Sequence, residues 1–344
     1  MRHSAATLAR LLAERAPTLV RELLPNGRRD GTEWRCGSLA GERGQSLAVH
    51  LGGTRSGVWA DFSSGERGDA LDLVAAVLYA GDRREAMRWA TRWLGLDDNP
   101  AAPTVRRPPP AARPTETDAD AQARRGAARK LWLAGMPVKA GSPVAAYLAG
   151  RGVDLAELGR APGALRFHPD LWNGESRRAW PAMVAAICAP DGAMVAVHRT
   201  WLAPLPSGGW GKAPLRDAKM TLGSYAGGCI RLWRGASGKP LAASPAGETV
   251  VLAEGIETAL SVAVACPERR VLCAVSLANM ARVQLPAAIG TVILAADNDS
   301  GNPAARRALD TACQWFLSQG RAVRLAMPET EGRDWNDVLQ DETI

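Results

Sequence analysis

From Glu248 onward, four short and wholly apolar runs, TVVLAEG, RVLCAVS, TVILAAD and AVRLAMP, alternate with segments of helical spacing. Continuous apolar strands between helices predict a parallel sheet covered on both faces. The carboxyl ends of such strands share one edge, where sites form. The rest of the chain follows other rhythms. An amphipathic pattern predicts a helix over about 5–24, which breaks at Pro25, Asn26 and Gly27. WRCGSLA, SLAVHLG and GVWADFS then read as short antiparallel strands, and ALDLVAAVLYA and REAMRWATRWLGL as helices, closing a small module near Leu96. Residues 97–120, PAAPTVRRPPPAARPTETDAD and its flanks, are too proline-rich and polar to pack and form a linker. Beyond it come a basic helix over about 121–135, a second over about 143–151, and strand-like ALRFHP, AMVAAICAP, MVAVHRTWL and GCIRLW. The expected organisation is a module over 1–96, the linker 97–120, a mixed α+β region over 121–247 and an α/β domain over 248–344. The fold class is therefore α/β and α+β, multidomain.

Composition changes this picture little. With 344 residues and 47% hydrophobic positions, the chain has room for two or three domains and a sizeable core. A formal charge of +7 and a pI near 9.4 suit a polyanionic partner, although arginine-rich genomes produce the same balance. The six cysteines are scattered, form no CxxC pair and sit mostly in apolar runs, so they read as reduced, buried thiols. The apolar stretch around Leu8 to Leu12 is interrupted by Arg10 and followed by Glu14, Arg15 and Pro17, unlike a signal peptide. No run is long enough to span a bilayer, and a cytoplasmic location is expected.

The candidate chemistry lies at the strand ends. Glu254 closes the first apolar run, Asp297 and Asp299 close the third, and Asp334 and Asp337 follow the fourth. Parallel strands bring such residues to one edge, where hard carboxylate oxygens suit magnesium, which keeps some waters and takes phosphate oxygens at its remaining positions. EG and DND are also ordinary turn chemistry, with Gly255 and Gly301 supplying backbone freedom. The order and spacing of the whole set favour the metal site.

TVVLAEGIETALS, ILAADND with SGNPAARRAL, and RDWNDVL together resemble the Toprim domain shared by DnaG-type primases, topoisomerases and small nucleases, and look most like primase-like proteins of phages, plasmids and integrated elements. The resemblance covers about residues 248–340. It implies a four-stranded parallel sheet flanked by helices, with Glu254 as acid/base, Asp297 and Asp299 as magnesium or manganese ligands, and Asp334 as a later acidic ligand. ERGDALDLVAAVL resembles the end of the primase zinc ribbon. Of the four ligand positions only Cys36 keeps its cysteine; Leu39, Asp61 and Ser64 stand at the others, so no zinc is expected. Trp34, Trp59 and Phe62 would hold the ribbon by core packing, with base stacking by the two tryptophans as the alternative. VAVHRTWL, GKAPLRDAKMTLG and GCIRLW resemble the segment before Toprim in the same proteins. That makes His198, Arg199, Lys212, Lys219 and Arg231 candidates for contacts to nucleotide phosphates or DNA.

His50 and His168 lack partners at ligand spacing and read as structural. GGWGKAP and GASGKPL lack Walker spacing. The implied activity is primer synthesis from nucleoside triphosphates on single-stranded DNA, beside a separate replicative helicase and away from membranes. A Toprim nuclease, or a non-catalytic DNA-binding accessory protein, are the rival expectations.

Overall fold

Pro17 divides the first amphipathic segment, expected as one helix, into α1 (Ala5–Glu14) and α2 (Ala16–Leu23). Its ring clashes with the carbonyl four residues back and it has no N–H to give. The carbonyl of Ala13 instead accepts the Ser56 hydroxyl at 2.5 Å. In the computed structural model, residues 3–42, 44–62, 66–96, 118–298 and 303–342 are described, and the chain divides into two compact units, Met1–Ala119 and Asp120–Ile344.

In the first unit, β1 (Arg28–Asp30), β2 (Glu33–Cys36), β3 (Leu47–His50), β4 (Trp59–Asp61) and β5 (Arg67–Gly68) form an antiparallel meander in sequence order. Helices α3 (Ala70–Leu78) and α4 (Arg83–Trp93) follow. The glycine-aspartate step opens α3 because Asp69 accepts the N–H groups of Leu71 and Asp72, while Asp72 accepts that of Asp69. Trp34 and Trp59 are buried, and the Trp34 indole N–H donates to the Leu24 carbonyl. Phe62, expected with them in the core, is instead 43% exposed, just past the end of β4. The Cys36 thiol donates to the Ser38 carbonyl. Burial, reinforced by the charges of Glu42 and Asp61, pushes its pKa well up, so it stays a thiol. Leu39 and Asp61, expected at two further ligand positions, are described; Ser64 and most of the segment expected as a linker lie outside the described residues.

The second unit holds two sheets. Helix α5 (Asp118–Ala134), β6 (Met136–Pro137) and α6 (Pro143–Ala149) precede β7 (Leu165–Asn173), β8 (Arg178–Cys188), β9 (Met194–Pro204), β10 (Trp210–Lys212) and β11 (Lys219–Leu222). These strands form an antiparallel sheet ordered β10-β9-β8-β7-β6, with β11 also paired to β9.

The last sheet is assembled from β12 (Ile230–Arg234), β13 (Glu248–Ala253), β14 (Arg270–Cys273), β15 (Ile289–Ala295) and β16 (Ala322–Ala326), in the order β12-β14-β13-β15-β16. Its helices are α7 (Ile256–Ala265), α8 (Leu277–Met280), α9 (Pro303–Ser318) and α10 (Trp335–Glu342). The four apolar runs are its four parallel strands. The run GCIRLW, expected in the middle region, adds a fifth, antiparallel edge strand beside β14. One core joins the two sheets: Tyr147, Leu148, Met183 and Leu202 pack with Val251, Ile256, Leu260 and Val271. The middle region and the C-terminal sheet are thus a single compact unit. No helix among the described residues is long and apolar enough to cross a membrane.

Candidate metal and phosphate site

The parallel register aligns the strand ends: Ala253 of β13 pairs with Ala295 of β15, and Ala295 with Ala326 of β16. Neighbouring strands lie about 5 Å apart, so Glu254, directly after β13, and Asp297, two residues after Ala295, emerge from adjacent strands on one edge. Both are half-buried. The Asp297–Asn298 turn is pinned to the loop before α10, because Asn298 N–H donates to the Arg333 carbonyl and the Asn298 carbonyl accepts Gly332 N–H. That loop carries Asp334. Its carboxylate accepts the Asp337 N–H at 2.8 Å, while Asp337 accepts the Asp334 N–H, a reciprocal cap on α10. Asp334 also lies 4.0 Å from the Arg151 guanidinium. The expected metal ligand is therefore engaged in holding a helix start.

Asp299 lies outside the described residues. Among the described residues no group of three or more acidic, histidine or cysteine side chains converges closely enough to hold an ion. The donor chemistry of Glu254 and Asp297 nonetheless fits magnesium, which needs few protein carboxylates and prefers hard oxygens. Val275, just beyond β14 on this same edge, has φ 75°, a strained conformation for a β-branched residue.

A cationic cluster adjoins the edge through Glu257, which residue patterning did not single out. Glu257 sits in the first turn of α7, three residues after Glu254, and is 5% exposed. Its carboxylate accepts the Tyr147 hydroxyl at 2.5 Å and the Lys219 ammonium at 2.9 Å. Burial alone would raise the Glu257 pKa; the Lys219 and Lys212 charges and these hydrogen bonds outweigh it and hold the carboxyl well below its usual range. Burial likewise works against the Lys219 ammonium, yet Glu257 raises its pKa. Desolvation by the surrounding protein and the neighbouring Lys219 charge lower that of Lys212, although the residue is exposed. Burial and Lys219 push His198 down to about 3, so its imidazole is neutral.

Strand alternation separates the other candidates. Lys219 pairs with Thr200 and Lys212 with Leu202, placing both lysines on the β9 face that carries His198, toward the core shared with the C-terminal sheet. Arg199 points to the opposite face, where it lies 5.0 Å over the Trp201 ring and donates to the Thr221 carbonyl. Arg231 sits on edge strand β12 and donates to the carbonyls of Ala189 and Pro190. Of the four basic candidates, the structure brings Lys212 and Lys219 together. His50 pairs with Glu33, and His168 accepts the Asp170 N–H, both structural roles.

A lone acid in the otherwise apolar run IETALSVAVA was the available signal for Glu257, since a buried charge requires partners. Its partners come from α6 and β11, 110 and 38 residues away. Asn336 in RDWNDVL is also buried and donates to the Arg151 carbonyl and the Ser261 hydroxyl, fastening α10 to α6 and α7.

Parallel strands between helices, with Glu254 and Asp297 at their shared edge, make the second half of this unit an α/β domain. Residues 249–344 match the family model of the Toprim domain, and this part of the chain is a Toprim domain. Residues 122–232 match a domain of unknown function (DUF7146). Similar solved structures include the zinc-binding and RNA polymerase domains of the Aquifex aeolicus primase, at 15% identity, covering 97% of this chain and 82% of that one with a TM-score of 0.38. A DNA primase domain from Pseudomonas aeruginosa is similar at 14% identity over 64% of this chain and 75% of that one, TM-score 0.42. The primase fragment of the bacteriophage T7 primase-helicase is similar at 17% identity over 61% and 78%, TM-score 0.37. No curated protein matches the chain.

Proposed function

We propose that this chain is a primase-type nucleotidyltransferase that joins nucleotides on a single-stranded DNA template. The observation that carries the reading is the single turn from Glu254 to Glu257, which sets a carboxylate edge beside a cluster of lysines. Phosphoryl transfer needs both halves: a base for the attacking hydroxyl and cations for the phosphate chain. In this reading Glu254 accepts the proton of a 3′-hydroxyl as its oxygen bonds to the α-phosphorus of the incoming nucleotide. The bond from that phosphorus to the bridging oxygen breaks, and pyrophosphate leaves. Lys219, paired with the Glu257 carboxylate that Tyr147 also engages, and Lys212 beside it neutralise the departing phosphates. Asp297 and Asp299 would hold magnesium, which when bound supplies further neutralisation of the triphosphate. The partners of the reading are template DNA, nucleoside triphosphates and a separate helicase, in the cytoplasm of a host carrying a mobile element.

The test is incorporation of labelled nucleotides on single-stranded template with magnesium. Glu254→Gln is expected to slow incorporation by about 10²–10⁴-fold, with template binding retained. Template shortening without incorporation would replace the reading with a nuclease, and an unchanged rate in Glu254→Gln would remove Glu254 from it.

A further inference from the structure

A cavity of about 240 Å³ lies along edge strand β12, lined by Arg160, Arg231, Trp233, Arg234, Leu241 and Arg270 among others. It runs away from the carboxylate edge. Because β12 is antiparallel to β14 and Arg234 pairs with Arg270, the first residue of β14, this end of the cavity lies at the amino ends of the parallel strands. The acidic residues of the proposed reaction are at the other ends.

The four arginines differ in how they are engaged. Arg270 is 2% exposed and forked onto Glu248, with Nε 2.9 Å from Oε2 and Nη2 3.3 Å from Oε1; Ser237 and the Lys239 carbonyl take Nη2 as well. Its charge is compensated, and it forms a rigid wall. The others retain theirs. Arg231 is held by two backbone carbonyls, at 2.8 and 3.2 Å, and Arg234 by the Gly238 carbonyl at 3.2 Å. Arg160 lies 5.3 Å over the Trp233 ring, whose own N–H is fixed to the Pro267 carbonyl. Among the described residues, no ion pair joins Arg160, Arg231 or Arg234 to a carboxylate. Three arginines without a carboxylate partner among the described residues therefore line one small cavity, held by neutral partners that leave donors over.

Such a site selects a compact, multiply charged anion. Guanidinium forks match phosphate oxygens in pairs. A single strand spreads its charges one per phosphate along its length, whereas these arginines line one small cavity. The volume is below the roughly 300–1,000 Å³ of pockets that enclose whole small molecules, so it accommodates a phosphate chain with any nucleoside left outside. We infer that this cavity is a second anion site that binds a polyphosphate chain, from a nucleoside di- or triphosphate or from inorganic pyrophosphate, through arginine alone and without a metal ion. The inference is independent of the proposed reaction, because it uses neither the carboxylates nor magnesium.

Calorimetric titration of the full chain in excess EDTA, with inorganic pyrophosphate, ATP, orthophosphate and a single-stranded oligonucleotide as separate ligands, tests it. Pyrophosphate or ATP is expected to bind near one per chain and more tightly than orthophosphate. Arg160→Gln and Arg234→Gln, both at exposed residues, are each expected to weaken that binding by about 10–100-fold, while Asp297→Asn leaves it unchanged. Equal affinities for pyrophosphate and ATP assign the binding to the phosphate chain alone, and tighter ATP binding adds a nucleoside contact. The site is refuted if neither ligand binds wild type in EDTA. It is equally refuted if binding is indifferent to both arginine changes, or if the oligonucleotide alone binds.

Discussion

Glu257 holds a negative charge in the first turn of a helix that is otherwise buried and apolar, and it does so because Tyr147, Lys219 and Lys212 surround it. Replacing it with alanine leaves the buried Tyr147 hydroxyl without its acceptor and Lys219 without its counter-charge. A loss of about 1–3 kcal/mol is expected for the unsatisfied hydroxyl, measured as a lowered denaturant midpoint at pH 7; a midpoint equal to wild type would remove Glu257 from its organising role. Two groups in this cluster also set an acid dependence. The Glu257 pKa is depressed in the folded state, so its contribution is complete at neutral pH and is lost as pH falls through that depressed value. His198 is lowered from 6.5 to about 3, so between those values the unfolded chain binds a proton that the folded chain refuses. Stability therefore falls as pH drops through this window, by up to about 1.4 kcal/mol per pH unit from this group. Denaturation of His198→Gln between pH 6.5 and 4.5 should show a shallower loss than wild type, and parallel slopes would contradict the assignment. Glu254 and Asp297 were legible in the chain because each closes an apolar strand. Glu257 was less so, because its meaning depends on residues brought from α6 and β11.

Apolar runs identified all four parallel strands of the Toprim sheet: central β13 and β14 are buried and leave little room for polar positions, whereas edge strand β16 is largely exposed and carries Arg324. They said nothing about β12. Its alternation of Ile230 and Leu232 with Arg231 and Trp233 is that of any half-buried strand, and only the fold decides which sheet it joins. Strand alternation also explains why two neighbouring candidates parted: Arg199 and His198 are adjacent in sequence and face opposite sides of β9. Local signals were dependable where the chemistry was local. Asp69, which follows Gly68, caps α3, as an acid before an apolar helix does. Asp69→Ala should cost about 1 kcal/mol, read as a lower unfolding temperature of the N-terminal unit, and Asp69→Asn should retain most of it by keeping an acceptor. If both variants lost stability equally, the cap would not be the reason.

At the scale of the molecule, the chain is two compact units, and each bears on the proposed activity differently. The first has a ribbon-like meander in which Trp34 and Trp59 fill the interior and Cys36 is kept as a buried thiol. A zinc-selective chelator should therefore leave its melting transition where it is; collapse on chelation would reveal a structural metal instead. The second unit joins the antiparallel sheet to the Toprim sheet through one core, so the lysines of one and the carboxylates of the other are held in a fixed relation. Of the segment 97–120, expected as a linker, only Asp118–Asp120 lie among the described residues, and they open α5; the expected boundary near 247 is not one of compactness, because its two sides share buried residues. The central claim is that the acidic edge and its lysines join nucleotides under the direction of a template. The measurement that tests it most directly is pyrophosphate release alongside incorporation of labelled nucleotides on homopolymeric single-stranded templates, for wild type and Asp297→Asn in parallel. The account predicts incorporation of the complementary nucleotide alone, with one pyrophosphate released per residue joined and none with Asp297→Asn. Incorporation indifferent to the template, or an Asp297→Asn protein as active as wild type, would contradict it.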